Sequence, residues 1–164
     1  MKGLTIGVLL MAAVALGGCS SKFKKYYGPE VTRIVVMKEA RKMYLYHHDE
    51  VLAEHRIDLG FGPRGDKQFE GDGKTPEGRY FIDRRNPNSS FHLSLGISYP
   101  NAEDIAAARS AGRSPGGDIF IHGKAKPLQK RGTDWTAGCI AVSNREIEWI
   151  YAMVKNGTVI DIYP

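Results

Sequence analysis

The chain has 164 residues, 42% of them apolar and 25% charged, the balance of one soluble globular domain rather than a disordered chain or a polytopic membrane protein. The formal charge is +5, yet Lys and Arg are scattered among the acidic residues and form no stripe, so no nucleic-acid partner is expected. Two cysteines are too few for a disulfide scaffold or a four-cysteine zinc site.

Met1-Lys2-Gly3 opens the chain with a positive charge, and Leu4 to Leu16 is almost wholly apolar. A helix needs about 20 residues to cross a hydrocarbon layer of ~30 Å, so this run has the size of a signal-peptide core rather than of a span. Leu16-Gly17-Gly18-Cys19 follows and resembles a bacterial lipobox. The resemblance implies removal of residues 1–18, acylation of Cys19, and a periplasmic protein anchored to a bacterial membrane, the outer membrane being favoured. An ordinary signal peptide with an incidental cysteine is the alternative. Residues 19–29, ending in Gly28-Pro29, read as a tether. Its Lys22, Lys24 and Lys25 suit anionic headgroups, each worth about 1 kcal/mol near the surface.

From residue 30 the pattern is mostly strand. Thr32–Met37, Lys42–His47 and Val51–Leu59 are runs rich in Val, Ile, Leu and Tyr, separated by charged turns, which predicts a β-meander. Gly60 to Gly78 shifts to Gly, Pro, Asp and Lys, a long loop or a pair of turns. Strands are expected again over Arg79–Asp83, Phe91–Tyr99 and Asp118–His122, with an Ala-rich helix over Asn101–Ser110. Ser143 and Glu146 have capping-box spacing, and Ile147, Ile150, Tyr151 and Val154 follow at helical intervals before Gly157. Thr158–Tyr163 reads as a closing strand. The expectation is a single mainly-β (α+β) domain over residues 30–164 with short helices.

Two glycine motifs mislead. Gly60-Phe61-Gly62-Pro63-Arg64-Gly65 fits the dinucleotide fingerprint by letter, but no helix pattern follows it. Gly73-Lys74-Thr75 lacks the first glycine of a phosphate loop, since position 68 is Gln68. No nucleotide is expected, and the histidines offer no metal-ligand spacing.

One constellation carries chemistry. Asp118-Ile119-Phe120-Ile121-His122-Gly123 puts a histidine at the end of an apolar strand, and Cys139 follows within Trp135-Thr136-Ala137-Gly138-Cys139. A cysteine nucleophile needs a base to form thiolate and backbone N–H donors for the oxyanion. His122 supplies the base, with its other nitrogen held by a carbonyl or carboxylate, and the amides around Gly138 and Cys139 supply the donors. A buried structural thiol beside a strand-end histidine fits the same residues. On chemistry alone the two readings balance.

The combination of His122-Gly123, Thr136-Ala137-Gly138-Cys139 and Thr75-Pro76-Glu77-Gly78 resembles the L,D-transpeptidase catalytic domain (YkuD-type) over roughly residues 30–164. The resemblance implies a β-sandwich-like mixed sheet with small helices and needs no cofactor or metal. It implies an enzyme that attacks a peptidoglycan tetrapeptide stem through cysteine, releases D-Ala and passes the acyl group to an amine. Cys139 would be the nucleophile, His122 the general base, Gly138 a backbone oxyanion donor, and Thr136 an orienter of His122 or a loop-shaping hydroxyl. Many members carry Arg two residues after the cysteine, where this chain has Ala141; Arg113, Lys124 or Lys126 would replace that charge, with Gly123 also contacting substrate. The segments Gly60–Gly78 and Asn101–Gly112 are expected to wall the acceptor site. Water as acceptor, making an amidase or carboxypeptidase, and a non-catalytic peptidoglycan-binding lipoprotein are the alternatives.

Overall fold

The computed structural model describes residues 21–124 and 132–164; the leader, Cys19 and Lys126 lie outside them. The expected meander is present as β1 (Arg33–Met37), β2 (Lys42–His47) and β3 (Glu50–Arg56), paired antiparallel. Alternation drives it: Ile34 and Val36 of β1 and Met43 and Leu45 of β2 point into the core, while their neighbours remain partly exposed. Five more strands complete the sheet: β4 (Gly78–Asn86), β5 (Ser94–Ile97), β6 (Phe120–His122), β7 (Ile140–Ala141) and β8 (Val159–Tyr163). Their order across the sheet is β3-β2-β1-β8-β4-β5-β6-β7. The last strand therefore enters the middle, parallel to β1 and antiparallel to β4.

The sheet curls because β4 changes partner along its length. Gly78–Phe81 pairs with β8, whereas Ile82–Asn86 pairs with β5, and a register shift between Ile82 and Arg84 bends the strand at the handover. This strand is longer than the expected Arg79–Asp83. The strand expected from Phe91 begins only at Ser94, because Phe91–Leu93 turns and His92 adopts a left-handed backbone (φ 75°). Similarly, Ile57–Leu59 leaves the meander, and Asp58 pairs instead with Ala141 of β7 by two reciprocal bonds of 2.8 Å. The far ends of the sheet thus meet.

Helix α1 (Ala102–Ser110) is capped by Asn101, whose side chain accepts the amides of Glu103 and Asp104. Helix α2 (Asn144–Met153) packs on β5 and β6 with Ile147 and Ile150 fully buried. Burying such a side chain stabilises by about 1.5–3 kcal/mol. The capping box at its start is formed: Ser143 Oγ accepts the Glu146 amide, and Glu146 Oε2 accepts the Ser143 amide. Lys38, almost fully buried, ties the 60–78 loop to the end of β1 by donating to the carbonyls of Gly65 and Thr75 and to Glu77.

Glu146 is also paired with His55 of β3, Nδ1 to Oε1 3.4 Å. That hydrogen bond, helped by Ser143 and opposed by partial burial, lowers the Glu146 carboxyl from 4.5 to about 2. A carboxylate depressed in the folded state contributes stability that is complete above its unfolded pKa and is lost as pH falls through the folded one. The urea midpoint is therefore expected to drop between about pH 4.5 and about pH 2, and to drop less in Glu146→Gln. An equal drop in both proteins would assign the acid sensitivity to other carboxylates.

Candidate active site

His122 is the last residue of β6 and is buried, its register partner in β7 being Ala141. Its Nδ1 lies 2.6 Å from the carbonyl of Gly123. A carbonyl only accepts, so Nδ1 carries a proton, and in the neutral form of the ring the lone pair then lies on Nε2. The orienting group is thus the carbonyl of the next residue, one of the two kinds of acceptor expected. Phe91 lies over the imidazole at 4.5 Å between centroids, and Trp135 meets it edge-on at 5.6 Å.

Cys139 immediately precedes β7 and is partly exposed. Two clefts meet at this residue. The first, about 490 Å³, is lined by Ser89, Ser90, Phe91, His122 and Trp135 as well as by Cys139; the second, about 390 Å³, by Lys67, Glu70, Gly71, Gly116 and Gly117 beside it. Asp118 and Ala137 border both. The thiol donates to the Asp118 carbonyl at 3.5 Å, and the Phe120 amide points at Sγ from 3.4 Å. Burial pushes the Cys139 thiol up; the Asp118 carboxylate adds to this, while the Phe120 amide and Lys67 pull the other way without reversing it. The surroundings thus favour the neutral thiol, and a nucleophile made from it needs a base.

The segment before the cysteine is fastened from three sides. Thr136 exchanges backbone bonds with Leu59 (3.1 Å) and Phe61 (2.8 Å), flanking Gly60. Asp134 accepts from Arg41 Nη2 at 2.7 Å and from the Leu59 amide at 3.0 Å. Burial would raise the Asp134 carboxyl, but the Arg41 and Leu59 bonds outweigh it and hold it below the ordinary range. A β-carbon at Gly60 would stand 1.9 Å from the Gly73 carbonyl oxygen, and one on Gly138, at φ +133°, would stand 2.7 Å from that of Lys74. Only glycine fits where these strands of backbone cross.

Several expectations need revision. The Gly138 amide does not face the cleft as an oxyanion donor, because it donates to Thr136 Oγ1 at 3.1 Å. The Thr136 hydroxyl donates to the Cys139 carbonyl at 2.7 Å and so shapes the loop, the second of the two roles expected of it. Among the described residues the Cys139 amide has no such partner. Gly123 lines neither cleft: it is buried under α2, where a β-carbon would stand 2.5 Å from Asn144 Oδ1. Arg113 and Lys124 line neither cleft either, as the Arg113 guanidinium stacks on Phe69 at 4.1 Å and the Lys124 amide donates to Asn144 at 2.6 Å. The cation in the second cleft is Lys67, paired with Asp72 at 2.9 Å. Residues of 60–78 do wall that cleft, but none of 101–112 does. Phe91 and Lys67 carried no motif, since loop closure brings them to the site, while Asp118 and Trp135 lay within the segments that hold His122 and Cys139 but carried no expected role.

The YkuD L,D-transpeptidase catalytic-domain profile matches residues 31–162, and the chain belongs to that family. It is 28% identical to the proposed L,D-transpeptidase YafK of Escherichia coli K12, over 98% of this chain and 69% of YafK. Among solved structures it resembles the helical cell shape determining protein Pgp2 of Campylobacter jejuni, at 28% identity and a TM-score of 0.62, covering 88% of this chain and 51% of Pgp2. Bd1075 of Bdellovibrio bacteriovorus follows at 26% identity and a TM-score of 0.61, covering 82% of this chain and 48% of Bd1075. The chain thus spans about half the length of these two. They share its curled, mostly-β sheet with short helices.

The geometry makes a direct prediction about Cys139 reactivity. If His122 takes the thiol proton, His122→Ala slows alkylation of Cys139 at neutral pH, and the deficit shrinks as pH rises and the thiol ionises unaided. Mass spectrometry of the Cys139 peptide after iodoacetamide treatment measures this. Equal rates at every pH would remove His122 from the base role.

Proposed function

We propose that this chain is a peptidoglycan L,D-transpeptidase that works through a Cys139 thioester. The observation that carries the reading is a thiol at the junction of two clefts, beside a histidine whose Nδ1 is fixed by the Gly123 carbonyl. Nε2 of His122 takes the Sγ proton, and the thiolate attacks the carbonyl of the third residue of a tetrapeptide stem. Negative charge develops on that carbonyl oxygen, where the Cys139 amide donates. Collapse breaks the C–N bond, D-Ala leaves with the proton returned by His122, and an acyl thioester remains. An acceptor amine then attacks the same carbon, gives a proton to His122, and expels the thiolate, which regains a proton.

The two clefts allow a donor and an acceptor to reach one sulfur from different directions. Transfer beats hydrolysis only when the amine is held in attack geometry, where effective molarities reach about 10⁵ M or more. Glu70 and Asp118 border the second cleft and give it the sign that suits such an ammonium group before it loses its proton, although the Asp118 carboxylate also takes Arg84 Nη2 at 3.0 Å. Position 141 contributes no charge, because Ala141 is buried in β7 between His122 and Asp58. The cell-shape role in the name of Pgp2 suits an extracytoplasmic enzyme of the wall. Attachment through an acylated Cys19 completes the proposal, and no described helix is long and apolar enough to cross a membrane.

Incubation of the purified protein with disaccharide-tetrapeptides is expected to yield cross-linked dimers and free D-Ala, and Cys139→Ala to yield neither. Accumulation of tripeptides alone at every substrate concentration would make the enzyme a hydrolase. Turnover that survives Cys139→Ala would overturn the nucleophile.

A further inference from the structure

Residues 21–27, which as a tether would hang free, lie along the domain and are held by it. Lys22 Nζ donates to the carbonyls of Pro87 at 2.7 Å and of His92 at 3.1 Å. Lys24 pairs with Glu148 of α2 at 3.1 Å, and the same carboxylate takes His92 Nε2 at 2.9 Å. Phe23 rests against Tyr151 of α2 at 6.5 Å, and the Arg85 guanidinium covers that tyrosine at 4.0 Å. Two of the three lysines expected at headgroups are thus spent on the protein's own surface.

The loop that Lys22 grips, between β4 and β5, is also a wall of the first cleft through Ser89, Ser90 and Phe91. Phe91 reaches His122 in two ways. Its ring covers the imidazole at 4.5 Å, and its carbonyl accepts the Gly123 amide at 3.1 Å. The Gly123 carbonyl is in turn the group that holds His122 Nδ1. The next residue, His92, has φ 75°, a region that a residue with a β-carbon leaves unless contacts hold it there. Lys22 and Glu148 supply those contacts. Without the ammonium, two carbonyl dipoles would face one space with no other donor among the described residues.

From this chain of contacts we propose that Lys22 is a positioning residue for His122: residues 21–27 form a strap that fixes the 87–93 loop, and through Phe91 and Gly123 the tilt of the imidazole. The proposal rests on the reading of Cys139 and His122 as the reacting pair. It makes the stretch leading away from Cys19 part of the catalytic apparatus, so that a pull on that stretch is felt at the site.

The test uses the full chain and the alkylation rate of Cys139 across the neutral range, followed on its own peptide so that Cys19 does not contribute. Misplacing a catalytic group by 1 Å can cost about 10²-fold, and Lys22→Met, which loosens the loop without removing it, is expected to cost about tenfold near neutral pH. It is also expected to move the midpoint of the pH profile, which Asp118 and Lys67, the charged groups facing Sγ, leave in place. Lys22→Arg, able to reach both carbonyls, should restore rate and midpoint. In a His122→Ala background, Lys22→Met should add no further loss. A lower melting temperature with an unchanged pH profile would overturn the proposal, as would full additivity with His122→Ala. Should Lys22→Met not fold, Glu148→Gln loosens the same strap, and its profile decides in the same way. Equal rates for wild type and His122→Ala would instead overturn the underlying reading, a result separate from anything Lys22→Met shows.

Discussion

The paired backbone bonds between Asp58 and Ala141, each 2.8 Å, are the constraint on which the site depends. They bring the segment leaving β3 against β7, so the two far ends of a curled sheet close on one another. Cys139 lies two residues from that seam. Its loop cannot move away from His122 without opening the Gly60–Thr136 bridge or breaking the Arg41–Asp134 pair. The ion pair is mostly shielded, and charge-assisted bonds of this kind contribute about 1.5–3 kcal/mol. The glycines at 60 and 138 follow from the same closure, since backbone from three segments converges where a side chain would not fit.

Closure has an electrostatic consequence. A sulfur set between Asp118 and Phe120 is partly desolvated, and desolvation favours the neutral thiol. The base must then be strong, correctly tautomerised and near. The Gly123 carbonyl meets the second requirement without a buried carboxylate, and Gly123 itself is held by Asn144 and Ile147 at the start of α2 and by Phe91. The first turn of α2, through Asn144 and Ile147, is therefore one contact removed from the imidazole. Structure and chemistry share the same residues here, so stability measurements and reactivity measurements report on one network.

Much of this was readable in the sequence, and what was readable was local. Alternation fixed the faces of β1 and β2, Ser143 and Glu146 marked the start of α2, and the His122-Gly123 and Gly138-Cys139 pairs marked the candidate site. Neighbour relations were not readable. Nothing in Thr158–Tyr163 says that the strand slots between β1 and β4, because burial pattern sets which side chains face inward but not which strand lies alongside. The placements of the Gly138 amide, Gly123 and Arg113 were not readable for the same reason. Each depends on a partner distant in sequence, or on a hydroxyl whose direction only the folded loop defines. Lys22 and Lys24 read in the sequence as tether charges suited to headgroups, whereas Pro87, His92 and Glu148, all distant in sequence, take them in the fold.

The central claim is that the closed seam delivers a thiol able to carry an acyl group, and trapping that acyl group tests it most directly. Rapid acid quench after mixing the protein with a tetrapeptide donor, followed by peptide-level mass spectrometry, should show a tripeptidyl adduct on Cys139 that hydroxylamine removes. A stable adduct on any other residue, or turnover of donor with Cys139 never acylated, would contradict it.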